Sequence, residues 1–267
     1  MRAPNFEEFP YGTLASLLNR YDFDGGVRLS AVTDGAGKDL PHALVKTMLR
    51  VDLPQALASG ASYDLKLSWE HNIIDAIATR TRGGYEYFEK DKNYIYEIAQ
   101  WFPRMAAFTD VEGWQNKQFL GRGEFTLELG DYEVEITVPA DHIVAATGEL
   151  QNADAVLTKA QRDRFAEARN ASSPVFIVTP DEAKNNEKEG TSDTKTWIYK
   201  AENVRDFAFA SSRKFIWDAW GRDVGGRKVM AMSYYPNEAE PLWSQYSTQS
   251  IVHTIDIYSR YTFDYPY

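Results

Sequence analysis

Apolar and polar residues alternate along several stretches of the chain, and this period of two is typical of half-buried β-strands. Residues 49–53 alternate in this way and are followed by Pro54, which ends the run. The same alternation predicts a strand over residues 65–70. Two aromatic-rich runs, 85–88 and 94–99, are separated by a polar turn, so we expect them to form a hairpin.

The clearest alternation lies in residues 122–138. Apolar residues stand at every second position in each half of this stretch, with glutamates and threonines between them. Gly130 and Asp131 separate the two halves, which predicts two strands joined by a tight turn, with one face exposed to solvent. Pro139 ends the second strand, and a further strand is expected over residues 142–147.

The middle of the chain carries signals of helices. Thr158 and Thr179 are each followed three residues later by Gln or Glu, which is the spacing of a capping box. We therefore predict a helical insertion over about residues 154–190. Residues 184–193 are polar and charged, so we expect a mobile surface segment there. Further short strands are predicted at residues 175–178, 195–200, 203–210 and 227–234.

Near its end the chain changes from a period of two to a helical period. The spacing of the apolar residues predicts an amphipathic helix over about residues 238–260. A long helix that follows an antiparallel β region indicates a domain boundary near Tyr235-Pro236. We therefore predict a mainly β fold, with one domain over residues 1–234 and the start of a second over residues 235–267.

Composition narrows the classes of function. The chain has 267 residues, with 29 Lys and Arg against 39 Asp and Glu, so its formal net charge is −10. This acidic balance argues against nucleic acid as a partner, because binding to phosphates needs a basic face. No apolar run approaches the roughly 18 residues of a membrane span. The chain has no cysteine, which excludes disulfides and thiolate chemistry.

The four histidines, His42, His71, His142 and His253, are scattered along the sequence. A zincin site needs the H-E-x-x-H pattern on a helix, and the sequence lacks it. It also lacks the G-x-S-x-G elbow of serine hydrolases. We therefore predict no metal site and no catalytic residues of the zincin or serine-hydrolase kind in this chain. His253 and Asp256 share a face of the predicted helix, where a lone histidine is expected to be hydrogen-bonded within or beside the core.

The residues leave two kinds of function open, a ligand-binding module and a glycoside hydrolase. Aromatic residues make up 14% of the chain, and rings that stack on ligands suggest a β-sandwich binding module for a carbohydrate or protein ligand. The tendency of aromatic residues to be buried favours core and interdomain contacts instead. A glycoside hydrolase needs two carboxyl groups about 5–10 Å apart. Four carboxylates flank the aromatic stretch 94–114, although most are expected to be solvated: Glu97, Asp110, Glu112 and Glu124.

The segment 94–105, YIYEIAQWFPRM, is the densest in aromatic and apolar residues. Gln100 lies in it where a strand has to end before Pro103, because proline cannot donate to the sheet. The Gln100 amide has two interpretations. It is either a partner of the backbone inside the fold or a group that projects into a cleft and hydrogen-bonds a ligand.

Several stretches together resemble the aminopeptidase N family of zinc metallopeptidases. Residues 97–105 (EIAQWFPRM), 121–128 (GRGEFTLE) and 132–142 (YEVEITVPADH) are similar to its N-terminal, saddle-shaped β domain. Residues 201–210 (AENVRDFAFA) resemble the strand that closes this domain. The stretch 233–256 resembles the beginning of the thermolysin-like catalytic domain.

The resemblance implies an antiparallel, saddle-like β-sandwich with a helical insertion, followed by the first helix of an α-helical catalytic domain. It implies a non-catalytic N-terminal portion of a zinc aminopeptidase, inactive alone, that forms a wall of the substrate cleft. The first strands of the family's β domain are expected before residue 1, and its exopeptidase strand and H-E-x-x-H site after residue 267.

The resemblance also implies partners and one site residue. Zinc is expected in the full-length parent and not in this chain. The partners implied are the catalytic domain of the same parent and the N-terminus of a peptide substrate. A periplasmic or secreted location is implied for the parent. In this family a Gln or Glu of the β domain holds the free amino group of the substrate, and Gln100 matches it by its place before Trp-Phe-Pro.

Overall fold

The computed structural model describes residues 11–12, 23–117, 126–188 and 190–267. Strands make up most of its regular structure, so the prediction of a mainly β fold is confirmed. The strands of the described residues are β1 (Arg28–Asp34), β2 (His42–Val45), β3 (Met48–Val51), β4 (Leu65–Glu70), β5 (Gly84–Phe88), β6 (Asn93–Ile98), β7 (Phe108–Thr109), β8 (Gly113–Trp114), β9 (Gly130–Pro139), β10 (Ile143–Ala146), β11 (Glu149–Leu150), β12 (Val175–Val178), β13 (Thr194–Val204), β14 (Phe209–Ser212), β15 (Ile216–Val224) and β16 (Arg227–Tyr235).

Helices are fewer and most of them are short. The α-helices that lie wholly within the described residues are α1 (Ala76–Thr79), α2 (Ala153–Val156), α3 (Lys159–Ala168), α4 (Pro180–Asn186) and α5 (Leu242–Tyr261). A 3₁₀ turn, Asn237–Ala239, precedes α5. In the part of the chain that the structure describes, no helix combines the length and apolar character needed to cross a membrane.

The chain folds into two compact units, and the first takes the described residues of 1–82 and 102–128. It contains three two-stranded antiparallel pairs, β1 with β4, β2 with β3, and β7 with β8. The β1–β4 pair places Val32 opposite Leu67, and the alternation predicted for residues 65–70 appears as alternating exposure along β4. Val32 belongs to the buried core of the protein.

The second unit takes residues 83–101 and the described residues of 129–267. It is built from three antiparallel sheets, with the strand orders β10-β14-β6-β5, β11-β13-β9 and β12-β15-β16. Its core is formed by large buried side chains, among them Trp197, Trp217 and Tyr235 from strands and Phe207 from the link between β13 and β14. The β5–β6 hairpin predicted from the sequence is confirmed, with Tyr85 opposite Tyr96.

Both predicted capping boxes are present. The Thr158 hydroxyl accepts from the backbone N–H of Gln161, whose side chain accepts in turn from the Thr158 N–H at 2.9 Å. Thr179 and Glu182 form the same pair at the start of α4. Helices therefore begin at 159 and 180 because their first N–H groups are satisfied locally.

The hairpin predicted over residues 122–138 is wrong in its described part. Residues 126–129 are irregular, and β9 begins at Gly130, so Gly130 and Asp131 start a strand instead of forming a turn. Residues 122–125 lie outside the described residues. β9 pairs with β13, where Ile136 faces Trp197. The buried face of β13 offers β9 an apolar partner that is distant in sequence.

Two further boundaries differ from the sequence prediction. The strand predicted over residues 203–210 is split, because β13 ends at Val204 and β14 begins at Phe209. The first part of the segment 184–193, predicted to be mobile and on the surface, belongs to α4. Glu187, just beyond α4, accepts a hydrogen bond from the buried Lys214 ammonium at 3.1 Å, which fixes this segment to the core.

The last helix, α5, packs on β15 and β16 through a buried polar network. The Thr248 hydroxyl donates to one carboxylate oxygen of Asp218, and the Tyr235 hydroxyl donates to the other at 2.5 Å. The oxygens of Thr248 and Ser233 lie 2.7 Å apart. Burial raises the pKa of Asp218, and these hydrogen bonds to the charged form oppose the rise. The domain boundary predicted near residue 235 remains a prediction.

Candidate functional site

Gln100 lies two residues after the end of β6 and is exposed. Its φ is 55°, in the left-handed region that residues other than glycine seldom adopt. Such a conformation costs about 1–3 kcal/mol, and it persists only where the surrounding structure imposes it. The Gln100 amide makes no hydrogen bond to the described part of the chain. The structure therefore presents this amide at the surface of the second unit.

Trp101 holds the backbone beside Gln100. Its indole N–H donates to the Phe207 carbonyl at 3.1 Å. Its ring also meets the Phe209 ring edge to face, with the centroids 5.7 Å apart. Because Trp101 is anchored on the segment that leads into β14, the exposed Gln100 amide is carried on a fixed backbone.

Three of the four carboxylates considered for glycoside hydrolysis lie in the part of the chain that the structure describes. Glu97 belongs to the second unit, whereas Asp110 and Glu112 belong to the first, where Glu112 pairs with Lys117 at 3.4 Å. Glu124 lies outside the described residues. Glu97 lies opposite Gly84 on the adjacent strand β5, and the carboxylate whose charge acts on Glu97 is Glu86, two residues further along that strand. Burial, and then the charge of Glu86, raises the pKa of Glu97.

His142 and Ser211 form a buried pair that the sequence did not reveal. His142 Nδ1 and the Ser211 hydroxyl oxygen are 2.8 Å apart, although the two residues are separated by 69 positions. The residues are only 6% and 2% exposed, so no substrate reaches them. Burial, and then the positive charge of Arg213, lowers the pKa of His142 to about 4. The pair is therefore a structural contact that keeps a neutral imidazole in the core.

The structure does not bring His253 and Asp256 together. His253 is exposed on α5, so the expectation that it is hydrogen-bonded in or beside the core is wrong. Asp256 instead accepts a hydrogen bond from Arg222 on β15 at 2.7 Å. Within the described ranges, no three His, Asp or Glu side chains are placed to hold a metal ion.

The outer side of α5 exposes large apolar and aromatic residues. Val252 and Thr248 face the sheet and are buried, while Tyr246, Tyr258 and Tyr261 are 58%, 66% and 73% exposed. Apolar side chains continue along the helix and the tail that follows it. We call these exposed residues the α5 surface: Leu242, Trp243, Tyr246, Ile257, Tyr258, Tyr261, Phe263, Tyr265 and Tyr267. Several exposed apolar and aromatic side chains on one helix and the tail that follows it are typical of an interaction site.

No protein-family model and no curated protein matches the chain in sequence. Among solved structures, the chain is similar to an M1 zinc metallopeptidase from Deinococcus radiodurans, with a TM-score of 0.52 and 15% identity over 91% of this chain and 45% of that one. A variant of the Deinococcus radiodurans enzyme bound to a Tyr-Ser-Ala substrate gives a TM-score of 0.53, with 14% identity and coverage of 91% and 45%.

A two-domain M1 zinc metallopeptidase variant bound to L-arginine gives a TM-score of 0.52 at 15% identity, with coverage of 91% and 46%. The chain therefore spans about half the length of the structures that it matches. At this level of identity the likeness establishes the fold. The resemblance to zinc metallopeptidases predicted from the sequence is thereby confirmed as a resemblance of fold.

The buried His142 predicts a specific dependence of stability on pH. In the unfolded chain its pKa returns to about 6.5, so between pH 6.5 and about 4 the unfolded state takes up a proton that the folded state does not. This residue's contribution to stability is therefore lost as the pH falls through that range, by up to about 3 kcal/mol.

We expect the free energy of unfolding of the natural protein to fall relative to that of His142→Asn between pH 7 and pH 4, as measured by urea denaturation. The exposed His253 provides the control, because His253→Gln should keep the natural pH profile. Parallel profiles for the natural protein and His142→Asn would contradict a buried, neutral His142.

Proposed function

We propose that the chain is the non-catalytic N-terminal portion of a zinc aminopeptidase. In this proposal its β region is a saddle-like sandwich that forms one wall of the substrate cleft, and α5 is the first helix of the catalytic domain. The fold likeness to M1 zinc metallopeptidases supports the peptidase relationship. The zinc, the catalytic residues and the peptide specificity would be supplied by the remainder of the parent.

The observation that carries the proposal is the α5 surface. The inner side of α5 is already bound to the sheet through Asp218 and Thr248, so its outer apolar side needs a different partner. Tyrosine and tryptophan are the residues that protein interfaces favour, because one end is apolar and the other carries an O–H or N–H group that can donate a hydrogen bond. A catalytic domain packed on this side would cover the exposed rings.

Gln100 supports a role in the cleft wall. Its side-chain oxygen is a hydrogen-bond acceptor, and a peptide's N-terminal ammonium presents only donors, so the two groups are complementary. A hydrogen bond to a charged group is stronger than one between neutral groups. The exposed amide and the anchored Trp101 beside it provide the fixed acceptor that such recognition needs.

The described residues do not fit a zinc ion. His142 is buried and bonded to Ser211, and His253 has no second histidine one helical turn away. The metal is therefore expected in the remainder of the parent, and no chemical step is assigned to this chain.

A binding module remains the second candidate, and one observation favours it. Tyr85, Tyr87, Tyr94 and Tyr96 form a cluster on the β5–β6 hairpin, in which the Tyr87 and Tyr94 centroids are 4.8 Å apart. Tyr87 and Tyr94 are also partly exposed. The rings contact one another, however, so much of the ring surface that could stack on a ligand is already used within the cluster. It supports a ligand platform less directly than the α5 surface supports an interdomain contact.

Measurements on the purified 267-residue chain test whether zinc binding and hydrolysis belong to the remainder of the parent. We expect it to bind no stoichiometric zinc, measured by mass spectrometry of the metal content, and not to hydrolyse aminoacyl anilides when zinc is added. Zinc-dependent hydrolysis by the chain alone, removed by a chelator and restored by zinc, would overturn the proposal.

The α5 surface predicts where the rest of the parent binds. Replacing Tyr246 and Tyr258 by serine should weaken association of the chain with the separately expressed remainder of the parent by about tenfold or more, since buried tyrosines are frequent interface hot spots. Isothermal titration calorimetry would measure the effect. Tyr87→Ser, which removes a comparably exposed tyrosine from β5, is the matched control and should bind normally. Equal affinities for all three proteins would remove the α5 surface as the contact.

Gln100→Ala tests the cleft residue in the parent. Loss of a hydrogen bond to an ammonium should lower kcat/KM for peptides by about 10- to 100-fold. Gln100→Glu keeps an acceptor and should retain activity. An unchanged kcat/KM for Gln100→Ala would show that Gln100 does not bind the substrate amine.

A further inference from the structure

Lys214 is fully buried in the second unit, in the link between β14 and β15. These two strands belong to different sheets, so Lys214 lies where the chain crosses from one sheet to the other. A buried ammonium is stable only when carboxylates and hydrogen bonds replace the water that it has lost. The identity of its partners therefore shows which segments are held at this crossing.

Three carboxylates from three separate segments accept hydrogen bonds from the Lys214 ammonium. Asp91 comes from the turn between β5 and β6, Glu187 follows α4, and Glu238 lies in the 3₁₀ turn that precedes α5. The bonds from the Lys214 ammonium to Glu187 and Glu238 are each 3.1 Å long. Burial alone would lower the pKa of Lys214, but these hydrogen bonds outweigh it and raise the pKa, so the ammonium stays charged.

The backbone around Lys214 is tied directly to β6. The Lys214 N–H donates to the Ser212 hydroxyl at 3.0 Å, and this hydroxyl donates to the Tyr94 carbonyl at 2.7 Å. Asn93, the first residue of β6, donates to the Glu187 carbonyl at 3.0 Å. The start of β6 is therefore fixed at Lys214, while the residue after Gln100 is fixed by the bond from Trp101 to Phe207.

We infer that Lys214 is a positioning residue, which holds β6 and hence Gln100 through Asp91 and Ser212, and holds the approach to α5 through Glu238. The inference rests on the proposed function, since it is there that Gln100 and α5 belong to the two sides of a substrate cleft. Lys214 itself touches no substrate. One ammonium thus sets the place of the amine-binding amide relative to the helix that begins the catalytic domain.

Glu238→Gln is the variant that tests this coupling, because the Glu238 side chain is 45% exposed and its loss leaves Lys214 with two carboxylates. In the 267-residue chain we expect backbone amide exchange to rise about tenfold at residues 91–101, as well as around residue 238, measured by hydrogen–deuterium exchange. Lys214→Arg, which keeps a cation, should preserve slow exchange at residues 91–101.

Glu133→Gln is the control, because it removes a carboxylate from an exposed pair with Lys200 at 3.1 Å in the same unit. It should leave exchange at residues 91–101 unchanged. Faster exchange confined to the surroundings of residue 238 would overturn the inference, even if the proposed function holds.

A kinetic measurement in the parent separates positioning from simple stability. Glu238→Gln should raise KM for peptides severalfold while changing kcat less, at a temperature where the variant is fully folded. An unchanged KM would also overturn the inference. A failure of the proposed function is recognised separately, by the Gln100→Ala variant, and does not alter the exchange result.

Discussion

The second unit depends on how a single buried positive charge is neutralised. The Lys214 ammonium also lies 4.6 Å from the centre of the Phe88 ring, so β5 contributes to its surroundings in addition to the three carboxylates. Removing one partner of a buried charge generally costs more than the pair contributes, because an unpaired charge is left behind. The hairpin turn, the end of α4 and the approach to α5 are therefore constrained together, although they are far apart in sequence.

Much of the local structure follows from the sequence because its causes are local. The alternation in residues 65–70 reflects the two faces of β4, and the capping boxes at Thr158 and Thr179 satisfy N–H groups within one helical turn. The partner of a strand is not a local property. Residues 122–138 alternate as two strands would, yet β9 pairs with β13, about 60 positions away. Alternation identifies the buried face of a strand but not the strand beside it.

The same distinction separates the site residues that the sequence indicates from those that it does not. Gln100 is a candidate that the sequence indicates, because Pro103 and the surrounding aromatic residues mark the end of a strand within a few positions; its role in binding a substrate stays a prediction. The contacts of His142 with Ser211 and of Lys214 with Asp91 span 69 and 123 positions. Composition does not disclose a buried lysine either, since lysine is nearly always exposed. Only the topology brings these partners together.

The aromatic residues that the composition counts together have two different physical roles in the structure. Trp197, Trp217 and Tyr235 fill the core, whereas Tyr246 and Tyr258 remain at the surface on the outer side of α5. An amphipathic helix needs only one apolar side to pack on its own sheet. The packing of α5 on its own sheet therefore does not account for the exposed apolar residues on its outer side. The interdomain contact proposed above would cover this side, and the fold of the chain matches about half the length of the M1 zinc metallopeptidase from Deinococcus radiodurans.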